Sequence, residues 1–309
     1  MGLSIITSLY RSDEHLPTYA KHIITFAKAL EDEHIPLQLV MVVNDATALE
    51  KETIAHLQTQ LEVDALFVAR ESLYASWNRG LQVAKYDAIG FWNVDDMRLG
   101  ESAIAGVRAI ENGAELVDMP YIAVDAQTQQ KTQQTPYNPK VISPKTIMTM
   151  FALFHRGLFE KAGTFNPNFK VVGDFEWCSR SVVRQANYHQ LDLMGGYFYI
   201  HGDNLSNGTN PLEWVEINTV FLWHGGDNFI RPVEPQLMKH IWEQWGHTGR
   251  ENLPENIQEW LWGDGAEKRY LAYTKEREQP QWLRRIRMTL ARRGFVSSIE
   301  WDVHRERFS

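Results

Sequence analysis

The sequence predicts an α/β protein with a mostly parallel, Rossmann-like sheet, helices on both faces, and a mainly helical C-terminal extension. Three observations predict it. Through the first half, short apolar runs of strand length alternate with longer amphipathic stretches of helix length. The apolar runs are continuous rather than alternating, as befits strands buried on both faces. After about residue 212 the strand-like runs stop, and tryptophans with helical spacing take over.

The elements follow in order. LSIITSLY is a buried strand, and residues 16–30 carry Leu16, Tyr19, Ile23, Phe26, Ala27 and Leu30 on one helical stripe. QLVMVVND is a second strand and residues 46–61 a second helix. ALFVA, a helix over 72–85 and the strand AIGFWN come next, then a helix over 101–112 and the extended run ELVDMPYIAV. The Gln-rich stretch 125–140 reads as a mobile loop, either a plain surface insertion or a lid over a substrate. Residues 147–160 read as a helix stopped by glycine in HRGLFEKAG, 175–186 as another helix, and GGYFYIHG as a strand. A catalytic domain over 1–212 and an extension over 213–309 are expected. In the extension Trp214, Ile217 and Phe221 have helical spacing. Its later tryptophans (Trp242, Trp245, Trp260 and Trp262) are expected to pack against the first domain rather than offer a carbohydrate-stacking platform.

Composition narrows the function. Of 309 residues 44% are hydrophobic and 23% charged, enough for a sizeable core. A net charge of −8 argues against nucleic acid as a partner. The one cysteine, Cys178, allows no intrachain disulfide and reads as a small buried hydrophobe. The N-terminus lacks the pattern of a signal peptide, and no apolar run has the length of a membrane span. A cytoplasmic protein is expected. QWLRRIRMTLARRGF, residues 281–295, departs from the overall charge: five arginines and no acid, with Trp282, Leu283, Ile286 and Leu290 on one helical face. Either that face docks on the catalytic domain, or the helix makes a peripheral contact with the inner face of an anionic membrane.

The chemistry concentrates in GFWNVDD. Asp95 and Asp96 follow an apolar strand, where two adjacent carboxylates repel each other and are costly to desolvate. Asp45 ends the second strand, in VVNDAT. In a doubly wound sheet these strand ends share one edge, where ligands bind. A divalent cation would relieve the repulsion, and magnesium or manganese held by carboxylates usually carries phosphate oxygens too. The chain has neither GxGxxG nor GxxxxGKS. Neutralisation would then fall to the metal, which suits a nucleoside-diphosphate donor.

Five stretches, in order from residue 3 to about 207, resemble the large inverting family 2 of glycosyltransferases with the GT-A fold. They are SIITSLYRSDEHLPTYA, VVNDAT, ESLYASWNRGLQVAKYDAIGFWNVDD (with Asn78 and Gly80), ALFHRGLFEKAGTFNPNFKVVGDFEW and YIHGDNLSN. The chain departs from the family's pattern at Asn93, where Asp is common, and at Gly173, where the acidic motif usually has Glu. The resemblance implies transfer of a sugar from a nucleotide donor, with a carbohydrate or lipid-linked acceptor. It implies Asp96 as the direct metal ligand, Asp95 turned to the ribose or donor sugar, and His201 as a further ligand, a mixed set that suits manganese as well as magnesium. Asp45, with Asn78 among the donor-binding residues, would recognise the base. A carboxylate only accepts hydrogen bonds, so the ring N–H of uracil, thymine or guanine favours a UDP, TDP or GDP sugar. Arg70 would assist at the base or a phosphate, or is simply solvated. Asp174 is the candidate general base, with an N-cap as its plainer role and Glu176 as substitute; Trp177 either lines the acceptor pocket or packs. A sugar nucleotidyltransferase, or a non-catalytic binding module, is the competing expectation.

Overall fold

The computed structural model describes residues 1–136, 150–202, 204–205, 210–225, 230–245 and 255–298. Outside them lie the end of the Gln-rich stretch and the start of the helix expected over 147–160. Asp203 and Ser206–Asn207 of the late turn also lie outside the described residues. The chain divides into two compact units, Met1–Asn204 and Leu205–Ser309.

In the first unit the elements run β1 (Leu3–Tyr10), α1 (Leu16–Asp32), β2 (Leu37–Asn44), α2 (Ala48–Gln58), β3 (Val63–Val68), α3 (Leu73–Val83), β4 (Ala88–Phe91), β5 (Met97–Arg98) and α4 (Gly100–Glu111). Then come β6 (Leu116–Asp118), β7 (Tyr121–Asp125), β8 (Lys131–Gln134), β9 (Leu153–His155), α5 (Arg156–Ala162), α6 (Gly173–Ser179), α7 (Ser181–Arg184), β10 (Tyr188–Gln190) and β11 (Gly196–Ile200). Seven strands form one sheet in the order β10-β6-β9-β4-β1-β2-β3. All its pairings are parallel except those of β9, which is antiparallel to β4 and β6. A second, four-stranded sheet has the order β5-β11-β7-β8. The continuous apolar runs are interior strands of the sheet: β1 and β2 are buried almost throughout, and the α1 stripe Leu16, Tyr19, Ile23, Phe26 and Leu30 closes over them.

Three expectations about elements are corrected. The stretch 125–140 is not simply a loop: β7 and β8 pair as a hairpin. Its turn is built by Asp125, whose carboxylate accepts the N–H groups of Gln127 and Thr128 at 3.0 and 2.7 Å. The helix expected over 147–160 begins as strand β9 and becomes α5 only at Arg156, before Gly163 stops it at φ +77°. Leu153 and Phe154 are wholly buried between two strands, and that burial overrides the apolar run's helical reading. The helix over 175–186 breaks at Arg180 into α6 and α7, because the extended Arg180 turns its guanidinium back to the carbonyls of Ala162 and Thr164.

The register shapes the carboxyl edge of the large sheet. Tyr10 pairs level with Asn44, and Asn44 with Val68, so β1, β2 and β3 end together. β4 ends at Phe91 opposite Ile6. Its continuation, Trp92–Asp96, therefore passes along the ledge left beside β1, and the carboxylates sit there.

The second unit holds α8 (Pro211–His224), α9 (Pro235–Gln244), α10 (Glu255–Trp262), α11 (Ala266–Arg277) and α12 (Gln281–Arg292). Asn210 caps α8, Gly225 ends it in the left-handed region, and Glu234 caps α9. Trp242 is buried within this unit, donating to Thr219 Oγ1 at 3.0 Å and meeting Trp262 edge-on at 5.5 Å. None of the described helices is long and apolar enough to cross a membrane.

Candidate active site

The two carboxylates that follow β4 have different surroundings. Asp95 meets His201: its Oδ2 lies 2.9 Å from the imidazole Nε2. His201 follows directly on β11, its N–H bonded to Asn204 Oδ1 at 2.6 Å, and its ring stacks on His15 with centroids 5.3 Å apart. Asp96, by contrast, is only 3% exposed. It accepts the Tyr199 N–H at 3.3 Å and the Asn93 amide at 3.4 Å. Burial first, and then the Asp95 charge beside it, push the Asp96 carboxyl well above the ordinary carboxylate range. Arg98 partly offsets this. That guanidinium is itself buried and donates to the carbonyls of Phe91, Met150, Phe151 and Ala152 at 2.8–3.2 Å. Burial lowers its pKa to about 10, with the Asp96 charge acting against the fall. The expected pairing of Asp96 with His201 is thus not the one the fold brings together; Asp95 is His201's neighbour, because Asp96 turns inward under β11.

The 2.9 Å contact is a direct hydrogen bond or ion pair, and a cation between the two groups would take its place. Adjacent ligand atoms at about 2.1 Å from an octahedral centre lie about 3 Å from each other. Among the described residues no group of three or more His, Cys, Asp or Glu side chains is placed so as to hold a metal ion. A cation held here would take its remaining ligands from diphosphate oxygens and water, the usual magnesium or manganese arrangement.

At the level ends of β1, β2 and β3, Tyr10, Asp45 and Arg70 lie together. Asp45 is exposed, with φ +47° and its N–H on the Val68 carbonyl at 3.0 Å. Arg70 stacks over the Tyr10 ring at 3.1 Å from the centroid. An exposed stack of this kind is worth only about 0.5–1 kcal/mol, weak enough to open around an incoming base. Asp45 does not cap α2. Thr47 does, in a capping box with Glu50. Glu50 is fully buried and also accepts the Ser12 N–H at 2.8 Å, which ties the loop after β1 to the loop after β2. Asn44 does the same for the loop after β3. Its amide donates to the Leu9 carbonyl and Ser76 Oγ, while its oxygen accepts the Glu71 N–H at 2.9 Å.

Asn78 is corrected. Its amide nitrogen donates to the Phe165 carbonyl at 2.8 Å and its oxygen accepts the Phe165 N–H at 3.0 Å. Both ends clamp backbone, so it is a structural residue tying α3 to the loop before α6. Glu176 is corrected as a substitute base, since Arg180 grips both its oxygens at 2.7 and 3.1 Å in a partly buried pair. Trp177 is fully buried, stacked on Phe159 with its indole N–H on the Gly163 carbonyl, so it packs. Cys178 is buried as expected.

Asp174 lies in the first turn of α6 but is not its N-cap, a position held by Val172. Tyr74 Oη and the Phe175 N–H both donate to its Oδ1, at 3.1 and 2.9 Å, which turns Oδ2 the other way. Burial raises the Asp174 pKa, and these bonds partly restrain the rise. A carboxylate with a raised pKa is better suited to take a proton near neutrality. Gly173 is explained by the same tyrosine: a Cβ there would lie 2.7 Å from the Tyr74 ring.

Sequence reasoning missed Tyr10, His15, Asn44, Tyr74 and Arg98. An aromatic residue closing the first strand, and an arginine two places after an acidic pair, were the only local signals.

A mostly parallel seven-stranded sheet flanked by helices, with an acidic ledge at its carboxyl edge, is a GT-A-like glycosyltransferase fold. No protein-family model and no curated protein matches the chain. Among solved structures, the 1–349 fragment of S. aureus TarS in complex with UDP-GlcNAc matches with a TM-score of 0.56 and 14% identity, over 99% of this chain and 90% of that one. The mannosyltransferase PcManGT from Pyrobaculum calidifontis, in complex with GDP-Man and Mn2+, matches with a TM-score of 0.54 and 11% identity, over 99% and 84%. At such identities the likeness is one of fold.

Proposed function

We propose that this protein is a glycosyltransferase. It moves a sugar from a UDP, TDP or GDP donor to the hydroxyl of a carbohydrate or lipid-linked acceptor, with inversion and with a divalent cation. The observation that carries the reading is the Asp95–His201 pair, 2.9 Å apart on the strand-end ledge of a GT-A-like fold. The solved neighbours with that fold hold UDP-GlcNAc, or GDP-Man and Mn2+.

Asp95 and His201 hold the cation; Asp96 anchors the ledge from beneath through Tyr199 and Arg98. A cation bound there supplies positive charge for the departing diphosphate. Asp45 accepts the ring N–H of the base, with Tyr10 and Arg70 stacking on it. Asp174 Oδ2 takes the proton of the acceptor hydroxyl as that oxygen attacks the anomeric carbon. The bond from that carbon to the diphosphate breaks, and the nucleoside diphosphate leaves.

Calorimetry with UDP and GDP, with and without manganese, tests the cation pair. Wild type and Asp96→Asn should bind more tightly with the metal, whereas Asp95→Ala and His201→Ala should lose that difference. Manganese-independent affinity in the wild type would sink the reading. Incubation with a panel of nucleotide sugars and simple acceptors should release nucleoside diphosphate; consumption of nucleoside triphosphate instead would mark a nucleotidyltransferase.

A further inference from the structure

Helix α12 is packed the wrong way round for a surface helix. The side turned inward carries Arg284, Arg287, Met288 and Ala291: Ala291 is buried and the other three are partly buried. Arg287 donates to the Ser297 carbonyl at 2.9 Å and lies 3.8 Å from Glu276, a buried carboxylate of α11. The apolar face looks outward. Trp282 is 62% exposed, Ile286 51%, Leu283 38% and Leu290 36%, and just past the helix Phe295 is 72% exposed. At 100° per residue these four helical positions fall within one arc, on the side away from Ala291. A helix normally buries such a stripe, so one left in solvent marks a surface built for something else.

The charges say what. Arg285, Arg292 and Arg293 are all exposed, and the wheel sets Arg285 and Arg292 along one edge of the stripe, with Arg293 following the helix. No acidic residue occurs from Gln281 to Ser298, in a chain whose net charge is −8. A second copy of the chain pairing through this face would bring arginine edges together with no carboxylate on the helix to answer them. An apolar strip with a cationic rim matches a bilayer interface, where side chains enter the acyl boundary and arginines meet phosphate headgroups.

We propose that α12 and the Phe295–Val296 turn form a docking surface for anionic phospholipid bilayers, lying in the interface plane. This inference does not depend on the catalytic reading.

Flotation of the full chain with phosphatidylcholine vesicles, and with vesicles containing phosphatidylglycerol, tests it. Binding is expected only to the anionic vesicles, falling steeply between low and high salt. Replacing Arg285, Arg292 and Arg293 together by Gln should weaken partitioning roughly fivefold per arginine, about a hundredfold in all. Ile286→Glu should abolish partitioning without changing the melting temperature, because the side chain is exposed. Three results would overturn the proposal: equal binding to neutral and anionic vesicles, no flotation at low salt, or self-association in sedimentation velocity that Ile286→Glu removes. The last would make the face a contact between copies.

Discussion

Asn78 shows how a residue in a donor-site motif can be structural. Both ends of its amide hold the Phe165 backbone. Asn78→Ala should cost about 1–3 kcal/mol of stability by leaving that peptide unpaired. In chemical denaturation the midpoint should fall, while UDP and GDP affinity in calorimetry of the folded protein stays as in wild type. Asp174 behaves in the opposite sense. Its folded pKa is raised, so the folded state holds the proton more tightly than the unfolded one. Its contribution is therefore most favourable below the ordinary carboxylate value and is lost as pH rises toward the folded one. Asp174→Asn keeps an oxygen for Tyr74 and Phe175 without that penalty. It should melt no lower than wild type at neutral pH and lack the same fall with pH, while transfer drops by about 10²–10⁴-fold. A variant that keeps its activity and loses stability would leave Asp174 a structural group.

Among elements, the join between α3 and α6 governs the candidate base. Tyr74, buried on α3, shares its one hydroxyl proton between the Val171 carbonyl at 2.8 Å and Asp174 Oδ1 at 3.1 Å, and its ring fills the space over Gly173. The Tyr74 bond lowers the Asp174 pKa. Tyr74→Phe removes it, so the acid limb of the kcat/KM profile should move to higher pH, with the alkaline side unchanged. Gly173→Ala forces a methyl group into the ring and should cost about 1–3 kcal/mol by overpacking. Pairing it with Tyr74→Leu in a double-mutant cycle should recover part of that loss; additive losses would mean the ring is not what excludes a side chain there.

For the whole molecule, the two units give ligand binding a clear signature. Every candidate donor residue lies in Met1–Asn204. A ligand stabilises only what folds around it, by about 2.7 kcal/mol at a hundred times its dissociation constant. In differential scanning calorimetry, UDP or GDP with manganese should raise one transition by a few degrees and leave the other where it was, provided the units melt separately. A single transition that moves as a whole would show that they unfold as one cooperative body.

The sequence by itself determined the α/β class, the order of the early elements and the two acidic strand ends, because continuous apolar runs and helical stripes are local signals that burial enforces. It also marked Asp45, Asp95, Asp174 and His201 as residues to watch, through local motifs and a resemblance in their order. It misread the run before Arg156 as helix, since an apolar run carries no mark of the two strands it will enter. Which of the two adjacent aspartates meets His201 was not legible, because that depends on β11, about a hundred residues away. Asn78, Glu176 and Trp177 were likewise decided by partners distant in sequence or hidden in the core. Tertiary structure alone set the outward turn of α12: its amphipathic pattern was legible, but a pattern gives two faces, and only packing decides which one meets the protein.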